Sequence, residues 1–513
     1  MGSMLISLGS SSEKAMDTNQ AKDVTAREVK IEMCNPHVDI SSVDERKLIH
    51  KIDMRTIPWL SVLYLLCFLD RTSIGSARLY NMETDLRLTD TQYLLCLTIF
   101  FVSYCLFEVP SNIVLKRLQP SIWLSTLMVG WGIVMVLQGI VQNFSGLMAM
   151  RWFLGMFEAG FFPGVSYYFS CWYKRSEYGI RLAIFFSAVT VSGAFSGLLA
   201  AAISNMHGVG GKPAWSWIFI LEGLVTVVAG AISPWIIVNF PEDATFLTEA
   251  ERTVAIRRLQ NDDRLSAAKE GLRCKDIKKS VTEWKTYLAM LVLGGLDMPA
   301  YALALFVPSI VYELGYTATP ANLMAVPVSA AACMCTCAVG FLSDRYGHRG
   351  LFNLICLPVS AIGYIILLAS RDAKLSYFAV YLATCGIYPC IANTVTWVAD
   401  NVEGSSKRSI SLAMVVGWGN LQGVVSSNVY RANQIPWYPL GHGLSLMYVI
   451  FAIIATVTLR YTLKKENDRR DRGERDEVIQ GQEGGHSVNG CFGSVEEAKR
   501  EKGDEWSGYR YTL

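Results

Sequence analysis

Twelve apolar runs, each close to the ~20 residues a helix needs to cross hydrocarbon, recur along this chain and constrain its fold more than any other feature. No water inside a bilayer can satisfy a backbone N–H or C=O, so a run of this length must be a helix that bonds internally. The runs cover residues 56–77, 92–115, 122–141, 147–172, 181–204 and 215–240, then 284–314, 321–342, 351–369, 375–398, 410–430 and 444–463. The expected fold class is therefore an all-α polytopic membrane protein, with a six-helix half over 56–240 and another over 284–463. Charged residues make up 18% of the chain, against ~25% in soluble proteins. They crowd into three segments outside the spans. Residues 1–55 and 464–513 read as disordered tails, the first lacking the apolar stretch of a cleaved signal peptide, and 241–283 reads as a central loop.

Lysine and arginine favour the cytoplasmic side of a membrane. With the N-terminus inside, the inner loops hold Lys116 and Arg117, Lys174 and Arg175, a basic run over 252–279, Arg345 and Arg349, and Lys407 and Arg408. The outer loops hold only Arg78, Arg87, Lys212, Arg371 and Lys374, so both termini are expected to be cytoplasmic. In the central loop, Thr248 and Glu251 have the spacing of a capping box ahead of Val254, Ile256 and Leu259, the signature of a helix lying on the inner surface.

Several function classes drop out. The net charge of +2 gives no footprint for nucleic acid. There is no GxxxxGK[ST] for ATP, no HExxH, no paired CxxC and no GxSxG, so neither an ATP-driven pump nor an enzyme is expected, and no cofactor or metal. The 13 cysteines lie in apolar runs or inner segments, where disulfides are not expected. Cys333, Cys335 and Cys337 alternate between helix faces with no histidine nearby, which suits helix packing rather than a metal.

What remains is a secondary transporter, and its candidate site lies in charges that hydrocarbon disfavours. A charge near the bilayer centre costs at least ~2.5 kcal/mol and needs a reason. Asp70 and Arg71 lie in the first span, Glu108 in the second, Arg151 and Glu158 in the fourth, Glu222 in the sixth and Asp297 in the seventh. Taken singly, each is as well explained by a structural ion pair or by a side chain reaching the interface. Arg151 and Glu158, seven residues apart, share one helix face at about 10 Å and call for a partner from another helix. Asp70 with Arg71 is the expected partner, giving two acids and two bases whose protonation would be coupled, as a proton-driven carrier requires. Glu222 and Asp297 read as structural, the latter because Pro299 follows it, and Glu108 reads as a gate or helix contact.

The loop GFLSDRYGHR, residues 340–349, resembles the cytoplasmic-loop motif of the major facilitator superfamily. That resemblance implies a gating latch at Asp344 and Arg345, with Gly347 making the turn. The corresponding first-half loop, SNIVLKRLQPS, departs from the motif, which puts a symmetric latch in doubt. Over residues 44–461 the chain is similar to the fungal allantoate permease family of anion:cation symporters, through LDRTSIG, FEVPSN with LKRLQPSIWL, RWFLGMFEAGFFPG, SGAFSGLLA, WSWIFILEG to NFPEDATFLTEAE, and GNLQG. The resemblance implies twelve helices in two halves around a central cavity, alternating access, and proton-coupled uptake of a small organic anion at the plasma membrane by a monomer. It further implies substrate-binding roles for Arg71 and Arg151 and proton-coupling roles for Asp70 and Glu158. The rival expectations are an efflux or intracellular carrier of a secondary metabolite, which buried arginines suit poorly, and a non-transporting sensor, which the short unpatterned tail suits poorly.

Overall fold

A computed structural model describes residues 43–115, 118–261, 274–403, 405–479 and 487–513. Most of the N-terminal tail, Lys116, Arg117 and residues 262–273 of the central loop lie outside the described residues. The apolar runs form helices. The first half contains α1 (Glu45–Leu79), α2 (Asp90–Leu115), α3 (Pro120–Gln138), α4 (Phe144–Glu158), α5 (Phe161–Trp172), α6 (Arg175–Ile203) and α7 (Ala214–Ile236). The central loop contributes α8 (Glu249–Asn261) and α9 (Cys274–Thr282). The second half contains α10 (Trp284–Glu313), α11 (Ala318–Tyr346), α12 (Arg349–Ala369), α13 (Ala373–Asp400), α14 (Ser405–Ser426) and α15 (Pro439–Asp471).

Among the described residues, ten helices are long and apolar enough to cross a membrane by themselves. The other two spans have local reasons for falling short. The fourth, expected as one run, is broken between α4 and α5 at Ala159 and Gly160. Pro163 causes the break: it has no N–H to return to the Ala159 carbonyl four residues earlier, and its ring clashes with that carbonyl. The eleventh is α14, whose apolar part is only Ile410–Ser426. Twelve spans result. Leu106, Val109, Trp235, Ile355 and Phe451 are all exposed on the helix exteriors, as surfaces facing lipid tails should be.

Within the halves, α3 packs on α7 and α12 on α13; between them, α6 meets α11, α2 meets α14 and α1 meets α10. The halves approach most closely on the face opposite the tails, termed here the distal face. There the Ser76 hydroxyl donates to Asn322 Oδ1 (2.9 Å), the Asn428 amide to Thr98 (2.8 Å) and the Ala432 N–H to Asp90 (3.1 Å), while Tyr80 and Thr319 share a hydroxyl contact at 3.4 Å. Glycine makes this approach possible, since a Cβ on Gly75 would overlap the Leu305 carbonyl and one on Gly197 that of Asn322. Glu108 of α2 and Asn420 of α14 add a further contact between the halves, nearer the centre of the molecule.

The terminal face is organised within each half instead. Helix α8 starts with the expected capping box: Thr248 N–H donates to Glu251 (2.9 Å) and Glu251 N–H to the Thr248 hydroxyl (3.3 Å). Lys51 and Arg258 then tie this belt to the first half through Glu251 (2.7 Å) and Glu177 (2.6 Å).

The C-terminal tail departs from the expectation of disorder. Helix α15 continues to Asp471, β1 (Val478–Ile479) pairs in parallel with β2 (Cys491–Phe492), and α16 (Val495–Lys502) leads into a segment that crosses the terminal face of the second half. Composition concealed this because the attachment rests on a few specific groups. Asp504 is fully buried between Lys285 and Lys407 (2.9 Å to the latter), and Glu283 joins both lysines. The Tyr511 hydroxyl accepts from Lys285 and Arg470, each at 2.9 Å, and donates to the Asp504 carbonyl. Trp397 and Asn401 both donate to the Thr512 carbonyl (2.8 and 3.0 Å). Burial alone would raise the Asp504 carboxyl, but Lys285 and Lys407 outweigh it and hold the group below its ordinary value. A depressed acid stabilises the attachment above its unfolded pKa of ~3.9 and loses that contribution only as pH falls through the folded value. The tail should therefore stay protease-resistant from pH 8 down to about pH 5. Asp504→Ala strands two buried ammonium groups on one glutamate, costs about 3–5 kcal/mol, and should make the tail cleavable at neutral pH in limited proteolysis of the purified protein.

Candidate transport site

Adjacent residues on a helix point ~100° apart, and this separates the two charges expected to act together in α1. Asp70 turns into the first half, where Oδ2 accepts from Trp131 Nε1 of α3 (3.1 Å) and the Thr226 hydroxyl of α7 (2.8 Å). Among the described residues its Oδ1 has no hydrogen-bond partner, and neither carboxylate oxygen of nearby Glu222 has one. Arg71 turns toward the second half. Its Nε donates to Glu158 Oε1 at 2.8 Å, and Nη2 reaches the same oxygen. The thiol of Cys67, one turn earlier in α1, donates to that oxygen as well (3.1 Å). Glu158 Oε2 has no hydrogen-bond partner among the described residues. The guanidinium is enclosed by the rings of Phe68, Phe100, Tyr104 and Tyr301 at 4.6, 5.3, 5.1 and 5.9 Å. Three of these rings belong to the first half; Tyr301 lies on α10 of the second.

Of the expected four charges, Arg71 and Glu158 are in direct contact, while Asp70, Arg151 and Glu158 lie within reach of one another's field. Arg151 shares a helix face with Glu158 as the spacing requires and is 1% exposed, with Nε and Nη2 unpartnered among the described residues and Tyr93 and Cys96 of α2 nearby. Two turns of α4 keep it from the Arg71–Glu158 pair.

A cavity of about 90 Å³ lies between the halves. Phe68, Thr72 and Ser76, one turn apart along α1, form one side, with Ser192 and Ser196 of α6. Asp297 and Tyr301 of α10, Ser329 of α11, and Thr384 and Tyr388 of α13 form the other. Asp297, read from sequence as a structural brace beside Pro299, is instead the charged residue of the cavity wall. A signal for it was present, as an acid in the middle of an apolar run, but the proline offered a competing explanation. Tyr301 connects the cavity to the ion pair: its ring faces Arg71, and its hydroxyl donates to Asn420 Oδ1 of α14 (2.7 Å). Glu108 is buried beside Asn420, at the contact of α2 with α14. It makes the helix contact expected of it and lies within reach of Arg71's field.

At the terminal face, the latch uses a different arginine from the one expected. Asp344 pairs with Arg349 (2.7 Å), and Arg349 also holds Asp400 (2.6 Å), joining the ends of α11, α12 and α13. Arg345 is exposed and makes no ion pair among the described residues. Gly347 takes φ +69 and caps α11 by donating to the Ser343 carbonyl, a left-handed position that other residues occupy at a cost of ~1–2 kcal/mol. Asp344→Asn weakens the latch without touching the cavity, so it should lower the maximal transport rate severalfold while the ranking of competing solutes stays fixed; a changed ranking would show that Asp344 acts on recognition.

Comparison with known proteins agrees with this architecture. Residues 60–427 match the family described as Major Facilitator Superfamily. The MFS transporter prlL of Fungal sp. (strain NRRL 50135) is 34% identical over 450 residues, covering 85% of this chain and 90% of that protein. The major facilitator-type transporter hxnP of Emericella nidulans is 31% identical over 466 residues, covering 89% and 93%. Among solved structures, the xylose transporter XylE from E. coli superposes with a TM-score of 0.61 at 11% identity, covering 80% of this chain and 97% of that one. A bacterial homolog of the human lysosomal transporter Spinster gives 0.61 at 16% identity, covering 81% and 97%.

Proposed function

The chain belongs to the major facilitator superfamily, and from that membership we propose that it carries a small organic anion together with a proton by alternating access, in the manner of the allantoate permease group. The observation that carries this reading is the Arg71–Glu158 pair, in which a permanent cation at the junction of the halves has a titratable acid as its carboxylate partner. A proton arriving at Glu158 Oε2 neutralises the acid and leaves Arg71 without a counter-ion in an aromatic enclosure of low dielectric. A substrate carboxylate then takes that place, and the planar fork of the guanidinium suits it. Proton and anion bind together because an unpaired charge there is costly. Loss of the proton on the other side restores the internal pair and expels the anion.

Asp70 and Arg151 are assigned a supporting role in this scheme, as buried charges of the first half that respond to the state of Glu158. Asp344, Gly347 and Glu108 belong to the conformational change. We place the terminal face in the cytoplasm and the protein in the plasma membrane, working inward, in accord with the basic inner loops. The test is uptake of a panel of labelled carboxylates into cells lacking their own permeases, at external pH 5 and 7. Accumulation that is greater at pH 5 and competed by acids but not by their amides supports the reading. Carriage of amide and acid alike refutes it.

A further inference from the structure

Resting on the anion reading above, we propose that Asp297 is a second recognition point, so that the carried solute is an organic acid that also presents a hydrogen-bond-donating or protonated nitrogen. Asp297 lines the cavity, is 8% exposed, and among the described residues makes no ion pair and accepts no hydrogen bond. The cavity wall around it consists of hydroxyls, aromatic rings and aliphatic side chains with no cation among them, and Arg71, outside the wall, is the cation whose field reaches it. A carboxylate in so dry a place needs a donor, and the cavity is where one can arrive. One flank of the carboxylate rests against Gly419 of α14, where a Cβ would strike Oδ2, so the backbone there keeps the side chain aimed at the cavity.

The placement relative to Arg71 sets the shape of the solute. Asp297 and Tyr301 are four residues apart, one above the other on the same face of α10. The Tyr301 ring lies between them in function: Arg71 stands over its face at 5.9 Å, while Asp297 fronts the cavity one turn away. A solute whose acid group replaces Glu158 at Arg71 and whose other end follows α10 past Tyr301 comes to Asp297 one helical turn, ~5 Å, beyond that tyrosine. A donor at that end satisfies Asp297; a methyl group there leaves it unpaired. Sites built to bond a polar group reject analogues that lack it, because their own buried groups are then left without a partner.

The test is thermal unfolding of the purified full-length chain titrated with three matched sets. These are 4-aminobutanoate and 3-ureidopropanoate, which carry both groups; butanoate and pentanoate, plain acids; and butylamine with 4-aminobutanamide, which lack the acid. The inference expects the nitrogen-bearing acids to raise the unfolding temperature at concentrations at least tenfold below those the plain acids need. Asp297→Asn keeps the volume of the side chain and Gly419→Ala displaces it; both should shrink that preference to less than threefold. Equal action of the two acid sets on the unmodified protein, or a preference that survives both variants, overturns the role of Asp297 while leaving the anion reading standing. Stabilisation by the third set as strong as by the first, or none by any acid, overturns the anion reading itself and this inference with it.

Discussion

Glu158→Gln should yield a carrier that still exchanges solute across the membrane but no longer concentrates it. Glutamine keeps an oxygen that can accept from Arg71 Nε and Nη2 and from the Cys67 thiol, so the packing at the end of α4 survives. What it cannot do is gain and lose a proton, and it leaves Arg71 permanently without a counter-ion of its own. The anion site is then available on both faces and independent of pH. Counterflow of preloaded solute should persist, while net accumulation should fall at least tenfold and lose its dependence on external pH. A glutamine variant that still concentrates solute from an acidic medium would move proton coupling away from Glu158, with Asp70 next in line.

Arg71→Ala is expected to abolish transport, and Arg71→Lys to raise KM by roughly 10- to 100-fold, the ~1.4–2.7 kcal/mol range expected when bidentate, charge-assisted bonds become a single point contact. The alanine variant removes the binding charge and strands Glu158, a change that costs about 3–5 kcal/mol where it breaks a buried pair. The lysine variant separates recognition from folding. Its ammonium still satisfies Glu158, so the protein should purify and unfold normally while its apparent affinity drops. Initial uptake rates across a concentration series, with a melting curve for each variant, check both. An alanine variant that transports normally would show that Arg71 is structural and the anion reading mistaken.

The spans, their grouping and the capping box of α8 were legible because they depend on local physics. A bilayer demands a fixed apolar length, and Thr248 with Glu251 needs only a spacing of three. The same holds for the shared face of Arg151 and Glu158. Sequence could not reveal which of two adjacent α1 residues would turn toward Glu158, because the orientation of α1 depends on how α3, α7 and α10 pack around it. Asp70 met Trp131 and Thr226, residues that carry no charge to advertise the contact. The latch shows the same limit: Arg345 and Arg349 are equally basic in the sequence, and only the turn at Gly347 swings the second back onto Asp344. The tail was hidden for a related reason. Its composition is that of a solvated segment, yet Asp504 and Tyr511 each find partners from helices more than a hundred residues away.

The seal on the distal face has a pharmacological consequence. Its bonds join neutral side chains or a carboxylate and a backbone amide, so salt in the medium on that side has little to screen, and Gly75 and Gly197 let the backbones of the two halves meet there. A blocker shaped for the 90 Å³ cavity meets these contacts first when it comes from that side. Sidedness of inhibition thus becomes a reporter of state: a membrane-impermeant ligand of the cavity that acts from the distal side can do so only on molecules that have first parted Ser76 from Asn322 and Thr98 from Asn428.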